Sequence, residues 1–238
     1  MKQNFKPIVN SDLIGDYVTI ELPGFGFSDR PLSLNYSMDE MAGALVKCLD
    51  AIGIKRTHAL GGTMGAVYTM YAAVRYPDRF MKVIALTPGG ITDKMPKKIR
   101  RLEWPFGALL REMYSKKDFE KYMPLFYYDG TVCTETVVDQ YYKTCDDHAS
   151  RQAIMYAIRN FDEEYALEAI RKTSREFFII WGDEDRLQPI ARLFTLRDML
   201  PDSVFHSIRN TGHWMHEEKA AQIAEAADRY IRYKGEAK

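Results

Sequence analysis

Short apolar runs alternate with amphipathic segments along the chain, and this order predicts alternating β-strands and α-helices. Four runs read as strands: "YVTI" at Tyr17–Ile20, "THALGG" at 57–62, "VIAL" at Val83–Leu86 and "FFIIW" at 177–181. A fifth, "SVFHSIRN", lies nearer the carboxyl end. The continuous apolar order of "VIAL" and "FFIIW" is typical of strands that are buried on both faces of a parallel sheet.

Helical segments follow these runs. In "SMDEMAGALVKCLDAIGI", Ser37 as N-cap and Glu40 three residues later predict a capping box, and apolar residues recur at helical spacing up to Gly53. "MGAVYTMYAAVRYPDRF" predicts a helix that stops near Pro77, and "ARLFTLRDML" and "EEKAAQIAEAADRYIRYK" predict two more. Together the segments predict an α/β fold: a mostly parallel sheet flanked by helices.

The alternation stops between residues 93 and 173. Charged helical segments dominate there, with no strand of comparable quality, and they carry many aromatic residues: Trp104, Phe106, Tyr122, Phe126, Tyr127, Tyr128, Tyr141, Tyr142 and Tyr156. We predict that residues 93–173 form a helical cap inserted into a core made of residues 1–92 and 174–238. A length of 238 residues suits one large domain with such an insertion.

Composition narrows the class of partner and the compartment. Lys and Arg together number 33, as do Asp and Glu, so no global charge attracts nucleic acid or an anionic membrane. No stretch approaches the ~20 apolar residues of a membrane span, and the amino terminus lacks the apolar run of a signal peptide. The three cysteines are widely spaced and are predicted to be free thiols. We therefore expect a cytoplasmic protein with no metal site and no cofactor.

The stretch "ALGGTMGAVY" joins a predicted strand to a predicted helix. Gly61, Thr63 and Gly65 follow the pattern glycine, any residue, nucleophile, any residue, glycine, which is typical of the turn that presents a catalytic hydroxyl. A glycine-rich crossing that only needs close packing would give the same letters. A phosphate-binding loop is disfavoured because neither GxxxxGK[ST] nor GxGxxG spacing is present here.

A nucleophilic hydroxyl needs a base to take its proton and an acid to orient that base. Asp185 follows the strand "FFIIW" in the loop "GDEDRLQP", and His213 follows the last strand in "NTGHWMHE". Their order after Thr63 suits a catalytic triad. The sequence leaves rivals open, and these are Asp183 and Glu184 for the acid and His216, His206, His58 and His148 for the base.

Four motifs in this order, "ELPGFGFSDRP", "GGTMGA", "WGDEDRLQP" and "TGHWMHEE", resemble landmarks of the α/β-hydrolase superfamily, from about Asp16 onward. The resemblance is to capped, esterase- or lipase-like members. It implies Thr63 as nucleophile, Asp185 as acid, His213 as base, and residues 93–173 as the cap over the site. It also implies a small-molecule acyl substrate: a carboxylic ester, a thioester or a related acyl bond.

Two features depart from the superfamily pattern. Thr63 stands where a serine is usual, and its methyl group restricts rotamers and crowds attack on a carbonyl. The chain also begins about where the first helix of the family would, without the strand and His-Gly loop that supply one oxyanion donor. Met64 can still donate its backbone N–H to the oxyanion. We expect the exposed sheet edge left by the missing strands to promote a homodimer.

Three functions stay open. The first is a Thr-His-Asp hydrolase of an acyl bond, with activity weakened by the threonine. The second keeps the pocket and the base but forms no acyl-enzyme, as in superfamily members that act as lyases. The third is a catalytically silent binding protein derived from a hydrolase.

Overall fold

The computed structural model describes residues 16–31, 33–89 and 115–233. The strands are β1 (Thr57–Gly62), β2 (Phe80–Leu86), β3 (Phe178–Gly182) and β4 (Val204–Ile208). The helices are α1 (Met38–Ala51), α2 (Met64–Arg75), α3 (Lys116–Tyr122), α4 (Glu135–Tyr142), α5 (His148–Arg159), α6 (Glu163–Ile170), α7 (Ala191–Met199), α8 (Met215–Glu218) and α9 (Ala220–Arg232). Short 3₁₀ turns occupy Pro77–Arg79, Met123–Phe126 and Gly130–Val132.

The four described strands form one parallel sheet in the order β1-β2-β3-β4. Helix α2 connects β1 to β2, and α7 connects β3 to β4. A parallel pair needs such a crossover, which carries the chain back over one face of the sheet. The predicted α/β architecture is confirmed.

Side chains on the two central strands alternate between two apolar layers. On β2, Val83 and Ala85 join the layer that contains α1, α2, α5, α6 and α7, whereas Ile84 and Leu86 face the layer that contains α9. On β3, Trp181 belongs to the first layer and Ile180 to the second. Burial on both faces accounts for the unbroken apolar runs in the sequence.

Local signals predicted helix α1 well. Ser37 is its N-cap, the Ser37 hydroxyl accepts from the backbone N–H of Glu40, and the Glu40 carboxylate accepts from the backbone N–H of Ser37. The capping box is thus confirmed, and the helix ends at Ala51, two residues before the predicted stop at Gly53.

The prediction of a strand at Tyr17–Ile20 is wrong. This segment has no regular secondary structure, and Tyr17 and Val18 are about half exposed. A strand is stabilised by a neighbour that pairs with its backbone, and residues 17–20 pair with none of the described strands. The β-rich composition of "YVTI" therefore did not decide its structure.

Between β2 and β3 the described chain is helical, from α3 to α6. The predicted cap boundaries stay a prediction, because residues 90–114, which include Trp104 and Phe106, lie outside the described residues. Within the described ranges, no helix is both long and apolar enough to cross a membrane. The same ranges contain no cluster of three or more His, Cys, Asp or Glu side chains that could hold a metal ion.

Candidate active site

Thr63 lies in the turn between β1 and α2 with a backbone conformation that few side chains adopt. Its φ is 53° and its ψ is −121°, a region in which a β-branched residue is strained. The backbone N–H of Thr63 donates to the carbonyl of Leu86 at 2.9 Å, and its own carbonyl accepts from the N–H of Ala66 at 3.1 Å. The end of β2 and the first turn of α2 therefore hold the turn in place.

The two glycines of the motif have different roles. A Cβ on Gly61 would lie 2.5 Å from the carbonyl oxygen of Gly65 and 2.7 Å from its carbon, so only glycine lets the strand and helix backbones come this close. A Cβ on Gly65 would meet nothing within 4 Å. The close packing that the motif predicts thus depends on Gly61 alone.

Three side chains from separate parts of the sequence meet above this turn. The hydroxyl oxygen of Thr63 lies 2.9 Å from Nε2 of His213, and Nδ1 of His213 lies 2.7 Å from Oδ2 of Asp185. An ionised carboxylate can only accept a hydrogen bond, so Nδ1 carries the proton. In the neutral ring Nε2 is then an acceptor for the Thr63 hydroxyl.

The Asp185 side chain is buried and fixed by the backbone of its own loop. Its Oδ1 accepts from the N–H groups of Leu187 and Gln188, both at 2.8 Å, while Oδ2 faces His213. Asp185 and His213 are 6% and 3% exposed, so water has little access to the hydrogen bond between them. A buried carboxylate with both oxygens bonded can orient an imidazole and stabilise its protonated form.

The other candidate carboxylates and histidines are not part of the hydrogen-bonded chain described above from Thr63 through His213 to Asp185. Glu184 points into solvent and Asp183 is half-buried, and Asp185 is the carboxylate hydrogen-bonded to His213. His206 is exposed on β4 and His148 is exposed at the start of α5. His58 lies on β1, where its Nδ1 accepts from the backbone N–H of Lys82. The side chain of His216 lies beside Glu217.

Met64 is the first residue of α2, so its backbone N–H has no acceptor within the helix. This N–H follows Thr63 directly and belongs to the positive end of the helix dipole, where a developing negative charge is stabilised. The predicted role of Met64 as oxyanion donor stays a prediction. The loop of a second donor was expected to be missing, and residues 1–15 lie outside the described residues.

Sequence reasoning missed the contacts that join the His213 loop to the helical segment between β2 and β3. The ring of Trp214 stacks on Tyr141 at a centroid distance of 4.3 Å and lies against Phe126 at the same distance. The hydroxyls of Tyr127 and Tyr141 both hydrogen-bond to the carboxylate of Glu217. The only sequence signal for these contacts was the run of aromatic residues, which does not name their partners.

Burial controls the protonation of the groups in this cluster. Burial raises the pKa of the Glu217 carboxyl, although the hydrogen bonds from Tyr127 and Tyr141 lower it. Burial, followed by the hydrogen bond to Glu217, raises the pKa of Tyr127 well above its ordinary value. Burial is the main cause that lowers the pKa of His216 to about 3, and the nearby imidazole of His213 contributes a smaller lowering. Tyr127 and His216 are therefore neutral at pH 7.

The sequence of this chain is similar to those of known hydrolases. A sequence model of the Alpha/beta hydrolase family matches residues 7–226. "Uncharacterized hydrolase YugF" of Bacillus subtilis (strain 168) is 27% identical over 219 residues, which are 91% of this chain and 80% of that protein. A 2-hydroxymuconate semialdehyde hydrolase of Pseudomonas sp. (strain CF600) is 25% identical over 210 residues, or 86% and 72% of the two chains.

The solved structure of a meta-cleavage product hydrolase from Pseudomonas fluorescens IP01 (CumD) has a TM-score of 0.79 and 20% sequence identity to this chain. The match covers 97% of this chain and 85% of that one. At this identity the likeness shows that the two proteins share a fold.

Proposed function

Because this chain belongs to the alpha/beta hydrolase family, we propose that it hydrolyses a bond to a carbonyl carbon, with Thr63 as the nucleophile. His213 is the general base and acid, and Asp185 orients it. The observation that carries this proposal is the unbroken chain of contacts from the Thr63 hydroxyl through His213 to Asp185, at 2.9 and 2.7 Å.

In the first half of the reaction, the Thr63 hydroxyl passes its proton to Nε2 of His213 while its oxygen attacks the carbonyl carbon. Asp185 stabilises the imidazolium that forms, and the N–H of Met64 stabilises the negative oxygen. The imidazolium then protonates the leaving group from Nε2. In the second half, His213 takes a proton from water, the resulting hydroxide attacks the acyl-enzyme, and Thr63 recovers its proton.

The bond we favour is a carbon–carbon bond next to a carbonyl group in a small hydroxy-oxo-dienoate. Five relatives support it, since they are named as hydrolases of 2-hydroxymuconate semialdehyde or of 2-hydroxy-6-oxo acids. The same three side chains can cleave a carboxylic ester or thioester, which the sequence motifs favoured. In that case the imidazolium protonates the oxygen or sulfur of the leaving group, and not a carbon atom, and the group departs as an alcohol or a thiol.

The experiment compares 2-hydroxy-6-oxo-6-phenylhexa-2,4-dienoate with p-nitrophenyl acetate for the wild type and for the variants Thr63→Ala, Thr63→Ser and His213→Ala. We expect the dienoate to be turned over with the higher kcat/KM. Loss of the base in His213→Ala should lower kcat by about 10³-fold or more. Loss of the nucleophile in Thr63→Ala should have a similar effect, whereas Thr63→Ser should gain activity because the crowding methyl is gone.

Other results would replace the proposal with a named alternative. Full activity in Thr63→Ala would show that no acyl-enzyme forms and would favour the lyase-like function. No turnover of either substrate by the wild type or by Thr63→Ser would favour a silent binding protein.

The cytoplasmic compartment and the homodimer stay predictions. Light scattering that gives a monomer mass at high concentration would contradict the predicted self-association through an exposed sheet edge.

A further inference from the structure

The loop that carries His213 is hydrogen-bonded on both sides of the histidine. After it, the backbone N–H of Trp214 donates to the carbonyl of Phe126 at 3.0 Å. Before it, the backbone N–H of Gly212 donates to Oε2 of Glu218 at 2.7 Å. Both residues adjacent to the candidate base are therefore held by groups outside their own loop.

Glu218 extends this connection to the segment between β2 and β3. Its second oxygen, Oε1, accepts from the N–H of Tyr128 at 2.9 Å and from the N–H of Asp129 at 3.3 Å. One half-buried carboxylate thus joins three backbone donors, one beside His213 and two in the turn at 128–129. Hydrogen bonds to an ionised acceptor are about twice as strong as neutral ones.

The backbone of the His213 loop also lies so close to the backbone of residues 126–128 that no side chain fits between them. A Cβ on Gly212 would lie 2.5 Å from the nitrogen of Tyr128 and 2.6 Å from the carbonyl carbon of Tyr127. The ring of Phe126 lies edge-on to the ring of His213, with centroids 6.1 Å apart. Movement of residues 126–129 would therefore move the loop, and with it the distance from Nε2 to the hydroxyl of Thr63.

We propose that Glu218 is a positioning residue for His213. Its carboxylate connects residues 128–129 to the His213 loop, so that these residues help to fix the position of the imidazole relative to Thr63 and Asp185. This inference rests on the proposed function for its effect on turnover, because it assumes that His213 is the base. The geometry it claims can be measured without any substrate.

The test compares Glu218→Gln with Asp39→Asn. In Glu218→Gln, an NH₂ group replaces one of the two accepting oxygens. The remaining oxygen can accept either from Gly212 or from the turn at 128–129, but not from both. Asp39 is the matched control. It accepts from the hydroxyl of Tyr165 on α6 and from that of Tyr71 on α2, so it anchors the same inserted segment at a site without contact to the His213 loop.

The first readout is the proton NMR resonance of the hydrogen between Nδ1 of His213 and Asp185, assigned by its loss in His213→Ala. We expect it to shift or broaden in Glu218→Gln and to match the wild type in Asp39→Asn. The second readout is kinetic. Displacement of the base should lower kcat about tenfold or more in Glu218→Gln, with KM within about twofold, since small misplacements of catalytic groups cost up to about 10²-fold.

Gly212→Ala tests the same connection from the steric side, and circular dichroism checks that each variant is folded. We expect Gly212→Ala to change the resonance as Glu218→Gln does. A change confined to these two variants supports the inference even if the protein cleaves no acyl substrate, so a failure of the proposed function would be distinguishable. An unchanged resonance in folded Glu218→Gln, or an equal change in Asp39→Asn, would overturn it.

Discussion

Thr63 combines two properties that seldom occur together: a β-branched side chain and a positive φ of 53°. Strain of this kind costs on the order of 1–3 kcal/mol and persists where the surroundings fix the conformation. The hydrogen bonds to Leu86 and Ala66 supply that constraint. The resulting direction of the side chain brings its hydroxyl to His213, so the strain and the candidate chemistry have the same structural origin.

His216 provides a residue-scale prediction about pH. Its folded pKa of about 3 lies below the ordinary value of 6.5, so its neutral form stabilises the fold above pH 6.5. As the pH falls from 6.5 towards 3, the unfolded chain binds a proton that the folded chain does not, which costs about 1.4 kcal/mol per pH unit. Urea unfolding of His216→Gln should therefore show a shallower loss of stability over this range.

The pKa of the neighbouring Glu217 is raised in the folded protein, so its contribution to stability increases as the pH falls, opposite to that of His216. His216→Gln keeps the two tyrosines that donate to Glu217, so this contribution is common to the variant and the wild type. The exposed His148, changed to Gln, serves as the control. If His216→Gln and the wild type lose stability in parallel between pH 6.5 and 4, the burial of His216 does not govern its protonation.

At the scale of elements, Gly61 and Gly65 make a matched pair for testing the strand-to-helix turn. We expect Gly61→Ala to be destabilised by more than about 2 kcal/mol, because the atoms its Cβ would meet within 3 Å all belong to the backbone. Gly65→Ala should be as stable as the wild type or up to about 1 kcal/mol more stable, because alanine favours the helix. Chemical denaturation measures both, and similar losses in the two variants would contradict the packing argument.

Helices and strands that are determined by residues close together in the sequence could be predicted. The capping box placed the start of α1, and the continuous apolar runs placed β2 and β3. The segment Tyr17–Ile20 has the same local preference and still forms no strand, because strand formation depends on a neighbour that sequence periodicity does not identify. The predicted triad residues converge for a related reason: the carboxyl ends of parallel strands meet at one edge of the sheet.

At the scale of the whole molecule, the contacts between the helices that follow β2 and the rest of the chain could not be predicted. The sequence placed Glu217 and Glu218 in the motif "TGHWMHEE" and at the start of an amphipathic helix, and neither feature identified their partners, which lie some 90 positions away in the sequence. Periodicity predicts which side of a helix is apolar, but not which distant turn covers it. The side chains that connect the candidate base to the segment between β2 and β3 are therefore identified only in the folded chain.

A buried ion pair between α6 and α7 gives a prediction about whether the helices between β2 and β3 unfold together with the sheet. Glu163 begins α6 and is 3% exposed, and its carboxylate binds the guanidinium of Arg192 on α7. Removal of the cation in Arg192→Met leaves a buried charge without this partner. The cost should be about 2–4 kcal/mol, near the lower end for buried pairs because the Arg192 side chain is 21% exposed.

The double variant Glu163→Gln/Arg192→Met removes both charges and should recover to within about 1 kcal/mol of the wild type, since the unpaired charge causes most of the loss. If the pair couples the helices between β2 and β3 to the sheet, tryptophan fluorescence and far-ultraviolet circular dichroism should report one shared transition in urea for the wild type. A double variant as unstable as Arg192→Met would show that packing of the arginine stem, and not its charge, joins α6 to α7. Two separate transitions in the wild type would show that the helices between β2 and β3 unfold independently of the sheet.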